Sequence, residues 1–313
     1  MKKILVQNKV AQSKLALPAC VLFATMIWLL CGLAKQQWWV QFFCFAVTAY
    51  LMLQLNNLHA LIRIYSRIVS CSFLLLSCAC CFLFPSIRGG ILQMGVVAMY
   101  TILLFGYQDR GAAGKTFYAF VFYGIASMAY ADLLYFLPLI WLLMGTNLLM
   151  LSWRTWGASV LGVLTPYWFA FGWLMWQGDP TPLADHLATL TDFQFPVNYA
   201  RLGISFMSVV ALLIVCTITG IIHYLNKSYQ DSVRIRLIYG FFIWMDLVAF
   251  ILVCFQPQHQ DMLLRLIIIN TAPLVSHFLA LTSTKATNQW FFVITAATLS
   301  VIFYNSWVLL SLY

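Results

Sequence analysis

Few residues in this sequence are equipped for chemistry, and Asp246 is the sharpest of them. It lies in GFFIWMDLVAF, near the centre of an apolar run at 236–255. A charged side chain at mid-bilayer depth costs about 2.5–3.5 kcal/mol on insertion scales. The next apolar run carries Asn270, Pro273 and His277. If the two runs are consecutive antiparallel helices, Asn270 lies at about the depth of Asp246 and His277 about one turn toward the inner side. Asp246, Asn270 and His277 are therefore the candidate binding residues, through an Asp–Asn or Asp–His hydrogen bond. The chemistry would be a proton or cation site, or a contact with a buried headgroup. The plain alternative is a structural bond between helices.

Three further sets of residues have suggestive types or spacing. His59, Arg63 and Arg67 recur at every fourth residue, which puts them on one face of a continuous helix. Such a stripe would hold a lipid phosphate or a nucleotide-sugar phosphate, or would simply be a basic flank with snorkelling side chains. Asp132 and Asp261 fall at outer turns, and with Asp179, Asp185 and Asp192 they put five of the eight acids on one side. A metal-assisted transferase would use such acids to hold a divalent ion near a diphosphate. On that reading Asp132 and Asp261 are the candidate catalytic residues, although no DxD or DD pair occurs and solvated turn residues are the alternative. Cys71, Cys78 and Cys81 share a helix face, where small apolar thiols serve packing better than soft-metal ligation. No metal and no cofactor are expected.

The elements that must position these residues follow from composition. Of 313 residues, 63% are hydrophobic and 8% charged, with 17 Lys or Arg against 8 acids, all of them Asp. Soluble domains are about 25% charged, so this chain cannot coat a water-facing surface. That excludes a soluble enzyme, a DNA-binding domain and a disordered protein. Repeated apolar runs of about 20 residues predict an all-α, polytopic transmembrane helix bundle. The net charge of +9 is not a nucleic-acid signal, because the basic residues lie singly or in small groups between the runs. All nine Cys fall inside apolar runs, so no disulfide framework is expected.

The runs lie near 15–34, 38–55, 67–84, 91–106, 117–131, 133–151, 156–176, 202–223, 236–255, 263–282 and 290–311. They make about 11 spans in a single transmembrane domain, 1–313. A short basic inner tail occupies 1–14, and one longer outer loop occupies 177–200, whose middle is expected to form a short surface helix between Pro180, Pro182 and Pro196. The first run is longer than a signal-peptide core and reads as an uncleaved span. The stretch 117–151 is tight for two crossings, and Asp132 and Pro138 interrupt it, so a short or partly re-entrant helix is expected there. With the N-terminus inside, thirteen basic residues lie inside and four outside; merging 117–151 into one span makes that ten against seven. The positive-inside rule thus favours eleven spans, with the N-terminus inside and the C-terminus outside.

The stretch from 117 reads FYAFVFYGIASMAYADLLYFLPLIWLLMG, then SWRTW at 152–156 and GVLTPYW at 162–168. It resembles a family of uncharacterised multi-pass inner-membrane proteins of Bacteroidetes-type bacteria, over about 55–180. That family's shape is an aromatic–GxAS hairpin, a leucine-rich span, a Trp-Arg turn and a Gly…Pro-Tyr span, in which Pro166 should kink the helix. The resemblance implies a multi-pass protein of the bacterial inner (cytoplasmic) membrane. The same region is more weakly similar to the membrane scaffold of polyprenyl-phosphate-sugar-dependent glycosyltransferases. Those enzymes carry an acid in a sizeable first outer loop. Here the first outer loop is LAKQQWW (33–39) and the second PSIRGG (85–90), neither with an acid, so no catalytic residue is carried over.

Three functions are therefore weighed. The first is a non-catalytic scaffold or subunit of a cell-envelope pathway, whose partners would be membrane lipids and other envelope membrane proteins, not nucleic acid. The second is a glycosyltransferase-like enzyme acting on a polyprenyl-phosphate-linked substrate at the outer face, which requires Asp132, Asp261 and the loop acids to converge. The third is a transporter or lipid flippase using Asp246, which requires Asp246, Asn270 and His277 to line a water-accessible cavity.

Overall fold

The computed structural model describes residues 6–191, 203–282 and 284–311. Along the chain the α-helices are α1 (Val6–Gln12), α2 (Ala16–Leu30), α3 (Trp39–His59), α4 (Ile68–Ala79), α5 (Ile87–Leu103), α6 (Ala113–Ala129) and α7 (Leu137–Thr146). There follow α8 (Trp153–Gln177), α9 (Thr181–Ala188), α10 (Ile204–Lys227), α11 (Val233–Phe255), α12 (Gln260–Leu281) and α13 (Lys285–Leu310). Among the described residues there is no strand, and the chain is an all-α, multi-pass membrane protein.

Seven of these helices, α3, α5, α8 and α10 to α13, are long and apolar enough to cross a bilayer. The α1–α2 pair makes an eighth if it is one span, bent by 87°. The remaining expected runs form shorter pieces. The 67–84 run stops at Ala79 and ends in a 3-10 turn, Cys81–Leu83. The 117–151 run divides where its sequence is interrupted: α6 ends at Ala129, a 3-10 segment covers Ala131–Phe136 with Asp132 in its first turn, and α7 starts with Pro138 in its first turn. Proline suits that position because its missing N–H is not needed there.

The centre of the bundle is α12. Every residue from Met262 to Ala280 is buried, so this helix is covered on all sides by protein rather than lipid. It packs against α10, α11, α4, α5 and α1. Gln7 of the short α1 reaches under it, donating from Nε2 to the carbonyls of Phe278 and Leu279, which ties the amino-terminal segment to the end of the central helix. A second group, α5, α6 and α8, packs side by side. Within it α8 continues through Pro166, whose ring lies against Gly124 of α6.

Hydrogen bonding starts α8 and α13 in the same way. Ser152 and Thr155, and likewise Thr284 and Thr287, form reciprocal capping boxes that satisfy the first free N–H groups. In the loop at 177–200, the expected surface helix appears as α9 followed by a 3-10 turn, Thr189–Thr191. Asp179 accepts hydrogen bonds from the N–H and the hydroxyl of Thr181 (3.0 and 2.6 Å), which hold its carboxyl below the usual range. Asp192 and Arg201 lie outside the described residues.

Candidate functional site

The polar residues of the bundle gather in three layers, two at its ends and one inside, and α10, α11 and α12 build the inner one. Asp246 of α11 is fully buried. Its Oδ2 lies 2.8 Å from Thr217 Oγ1 of α10 and 3.0 Å from Thr271 Oγ1 of α12, and the two hydroxyl oxygens lie 2.8 Å from each other. These three oxygens make three hydrogen-bonding contacts, which need three hydrogens. The two threonines supply two. As a carboxylate Asp246 accepts from both threonines through Oδ2, which leaves the contact between the hydroxyls without a hydrogen; a protonated carboxyl supplies the third, and the three groups can then donate in turn around the ring. A neutral Asp246 fills all three contacts, and a neutral group avoids the cost of a bare carboxylate at this depth.

Asn270 lies on the neighbouring position of α12 but does not join this ring. Its Nδ2 donates to the Leu266 carbonyl at 2.9 Å. The Tyr100 hydroxyl lies within reach of the Asn270 side chain, while Asp246 Oδ1 is a buried atom without a hydrogen-bond partner. Unsatisfied polar atoms of this kind are uncommon in folded proteins.

Six residues further along each helix, His223 of α10 and His277 of α12 form a second pair. Six residues of helix span about 9 Å, so His277 belongs to a different level from Asp246 and does not bond to it. His277 Nε2 lies 2.9 Å from Asp231 Oδ2, and His277 Nδ1 lies 3.1 Å from His223 Nδ1. The carboxylate can only accept, so Nε2 of His277 carries a hydrogen; in the neutral pair His223 Nδ1 then donates to His277 Nδ1. That leaves His223 Nε2 as a buried ring nitrogen with no partner. Asp231 continues the line to Arg63, with Asp231 Oδ1 3.7 Å from Arg63 Nη1.

The stripe of His59, Arg63 and Arg67 does not form. Helix α3 stops at His59 because Ala60 turns left-handed (φ 50), and residues 61–67 are not helical. His59 is buried, donating through Nε2 to the Thr101 carbonyl (2.9 Å) and accepting through Nδ1 from Arg234 Nη2 (3.0 Å). Arg63 goes to Asp231, while Arg67 Nε donates to the Tyr65 hydroxyl at 3.1 Å.

At the opposite end of the bundle Asp132 is buried and Asp261 half-buried, and both are engaged by side chains. Two short segments run side by side in antiparallel register: Tyr130 donates to Asp261, and His259 Nδ1 lies 2.8 Å from Asp132 Oδ2. Asp261 also accepts from Ser86 Oγ (2.7 Å) and from Arg265 Nε (2.8 Å). Arg265 is buried and donates again to Gln93 Oε1 and to the Leu83 carbonyl. Beside it is a cavity of about 20 Å³ bordered by Gln41, Ser77, Ser86 and Gln93, room for one water. Asp132 and Asp261 are thus near one another in the fold, but each is engaged by a base.

Of the three cysteines that share a face, Cys71 of α4 lies beside Cys20 of α2, and Cys81 of the following 3-10 turn lies beside Cys31 at the end of α2, so the two pair separately. Among the described residues no three His, Cys or Asp side chains are grouped to hold a metal ion. The larger cavities are apolar: one of about 490 Å³ bordered by Ala16, Cys20, Ile68, Leu279 and Phe291, and one of about 220 Å³ between α2, α3 and α4.

The sequence reading missed Thr217, Thr271, His223, His259 and the role of Asp231. Threonine in an apolar run gives little signal, because its hydroxyl is commonly spent on its own helix. His223 offered more, as one of five histidines and the one that closes the 202–223 run. No protein-family model, curated protein or solved structure matches the chain.

Proposed function

We propose that this protein is a proton-coupled transporter or lipid flippase in which Asp246 is the coupling group. Asp246, Asn270 and His277 do not line one water-accessible cavity in this structure; the observation that carries the reading is instead the buried cluster of Asp246 with Thr217 and Thr271, where three membrane helices meet. A fully buried carboxyl with one oxygen bound by two hydroxyls and the other without a hydrogen-bond partner is a proton store. Intramembrane acids of this kind mark ion pathways and proton relays. On this reading the chain crosses the bacterial inner membrane eleven times, with α4, α6 and α7 as short crossings, of which α4 is covered by protein. The Asp231 end is then cytoplasmic, because Arg63, Arg67, Arg110, Lys115, Arg154, Lys227, Arg234 and Arg236 fall on that side.

The test is charge movement. Wild-type protein and Asp246→Asn, each in proteoliposomes on a solid-supported membrane, are given a pH jump. The reading expects a transient current in wild type that is lost in Asp246→Asn. Equal currents from the two, at equal protein loading, overturn it.

A second reading, a non-catalytic scaffold or subunit of an envelope pathway, is favoured by a different observation. Asp132, Asp231 and Asp261 are spent on internal partners, and the larger cavities described are apolar surfaces for lipid chains or partner helices. It predicts that Asp246→Asn inserts normally and leaves the envelope of the host intact.

A further inference from the structure

We infer that His223 and His277 form the port through which Asp246 exchanges its proton with the Asp231 end of the bundle. The inference rests on Asp246 as a proton store, and adds a route and a direction to it. Three observations carry it. The two imidazoles are joined nitrogen to nitrogen at 3.1 Å, and His277 is joined to Asp231 at 2.9 Å, so the hydrogen bonds run unbroken from His223 to a carboxylate. The other end of that line, His223 Nε2, is a buried nitrogen with no partner. Both histidines sit on the two helices that also supply the threonines of the Asp246 ring, six residues away in each case.

The transfer balances. A proton leaves the Asp246 carboxyl and arrives, through water, on His223 Nε2. The hydrogen on His223 Nδ1 moves to His277 Nδ1, and the hydrogen on His277 Nε2 moves to Asp231 Oδ2. Both histidines end neutral with their tautomers exchanged, Asp246 is left as carboxylate and Asp231 holds the proton. Arg63, 3.7 Å from Asp231 and partly exposed, joins this end of the line to the solvent. The other charged and titratable groups around the pair are Lys227, Tyr224 and Tyr239. None of them interrupts the line.

The port is closed in this structure. Between the two levels, Gly220 of α10 is pressed against the backbone of α12 at Leu274, which leaves no room for the water that must bridge about 9 Å. Exchange therefore requires α10 and α12 to part at Gly220.

Infrared difference spectroscopy on the protein in nanodiscs tests this. Wild type should show a protonated-carboxyl C=O band that is absent from Asp246→Asn. After a jump into heavy water the band shifts as the proton is replaced. In His277→Gln and His223→Gln the band should keep its amplitude while its replacement slows by about a hundredfold, the weight of one positioned proton-transfer group. Retained amplitude also shows that the variants are folded around Asp246. If wild type lacks the Asp246-dependent band, the proton-store reading fails and the port with it. If the band is present but exchanges at the wild-type rate in both histidine variants, the port fails and the store stands.

Discussion

Arg265 lies across Gly89 so closely that a Cβ on that glycine would stand 2.1 Å from its Nε and 2.4 Å from its Cζ. The guanidinium is the far end of a flexible side chain, but it is not free to move. Asp261, Gln93 and the Leu83 carbonyl hold it, and it is buried. The sequence places a glycine where α5 begins so that a buried arginine from the central helix can fit over it.

This makes Gly89→Ala a probe of the Arg265 cluster. Breaking one side of a buried ion pair typically costs about 3–5 kcal/mol, and the new methyl group should impose much of that cost by displacing the guanidinium. In detergent unfolding, Gly89→Ala is expected to lose stability comparably to Arg265→Met. The double variant should be hardly worse than Arg265→Met alone, because the methyl then has nothing to displace. Simple additivity of the two losses would show that Gly89 does not act through Arg265.

The pairing of Asp132 with His259 makes a second prediction. Replacing either residue by Ala leaves the other buried without its partner, at a cost of about 1–3 kcal/mol. The double variant should recover part of that loss, with a coupling of about 1 kcal/mol, as expected for groups in direct contact. Solvated turn residues would give no coupling. A double-mutant cycle by unfolding in detergent distinguishes the two, and Tyr130→Phe on the adjacent rung serves as the local comparison.

How far the sequence reached is clearest at Asp246. Its burial at mid-helix was legible, because an acid in an apolar run must face either protein or lipid, and lipid is the costlier. Its depth relative to α12 was also legible: counting back along antiparallel helices arrives at Asn270, one residue from the true contact, Thr271. One residue is about 100° of helix rotation, which hydropathy cannot fix on α12 because that helix is apolar and buried on every side. The third partner, Thr217, depends on which distant helix packs against α12, and nothing local encodes that. The His59, Arg63 and Arg67 stripe failed for another reason. The helix ends in a left-handed Ala60, with no glycine or proline to announce the stop. The outer acids failed through composition: with so few charges, an exposed-looking Asp is more readily consumed by one of the few buried bases.

Orientation makes a third prediction. Tyr65 and Asp185 are both exposed, and lie in loops at opposite ends of the bundle. If the Asp231 end is cytoplasmic, an impermeant maleimide added to right-side-out vesicles should label Asp185→Cys above the wild-type background and leave Tyr65→Cys unlabelled until the vesicles are opened. The reverse pattern would invert the orientation, and labelling of both from outside would place the two loops on one side.

The last prediction concerns the seal between the Asp246 ring and the histidines. A Cβ on Gly220 would lie 2.7 Å from the Leu274 carbonyl carbon, 2.8 Å from its oxygen and 2.9 Å from its Cβ. All three atoms persist in alanine, so Leu274→Ala cannot make room for Gly220→Ala. The α12 backbone is fixed by packing on every side, and α10 must therefore shift outward. Overpacking of this kind costs about 1–3 kcal/mol, so a modest fall in Tm in detergent is expected, equal in the presence and absence of Leu274→Ala. The functional consequence has a definite sign. Forcing α10 and α12 apart at Gly220 opens the dry gap, so the Asp246 carboxyl of folded Gly220→Ala should exchange with heavy water faster than wild type. The histidine variants should exchange more slowly. Slower exchange in Gly220→Ala would mean that the contact with Leu274 is not what separates the two levels.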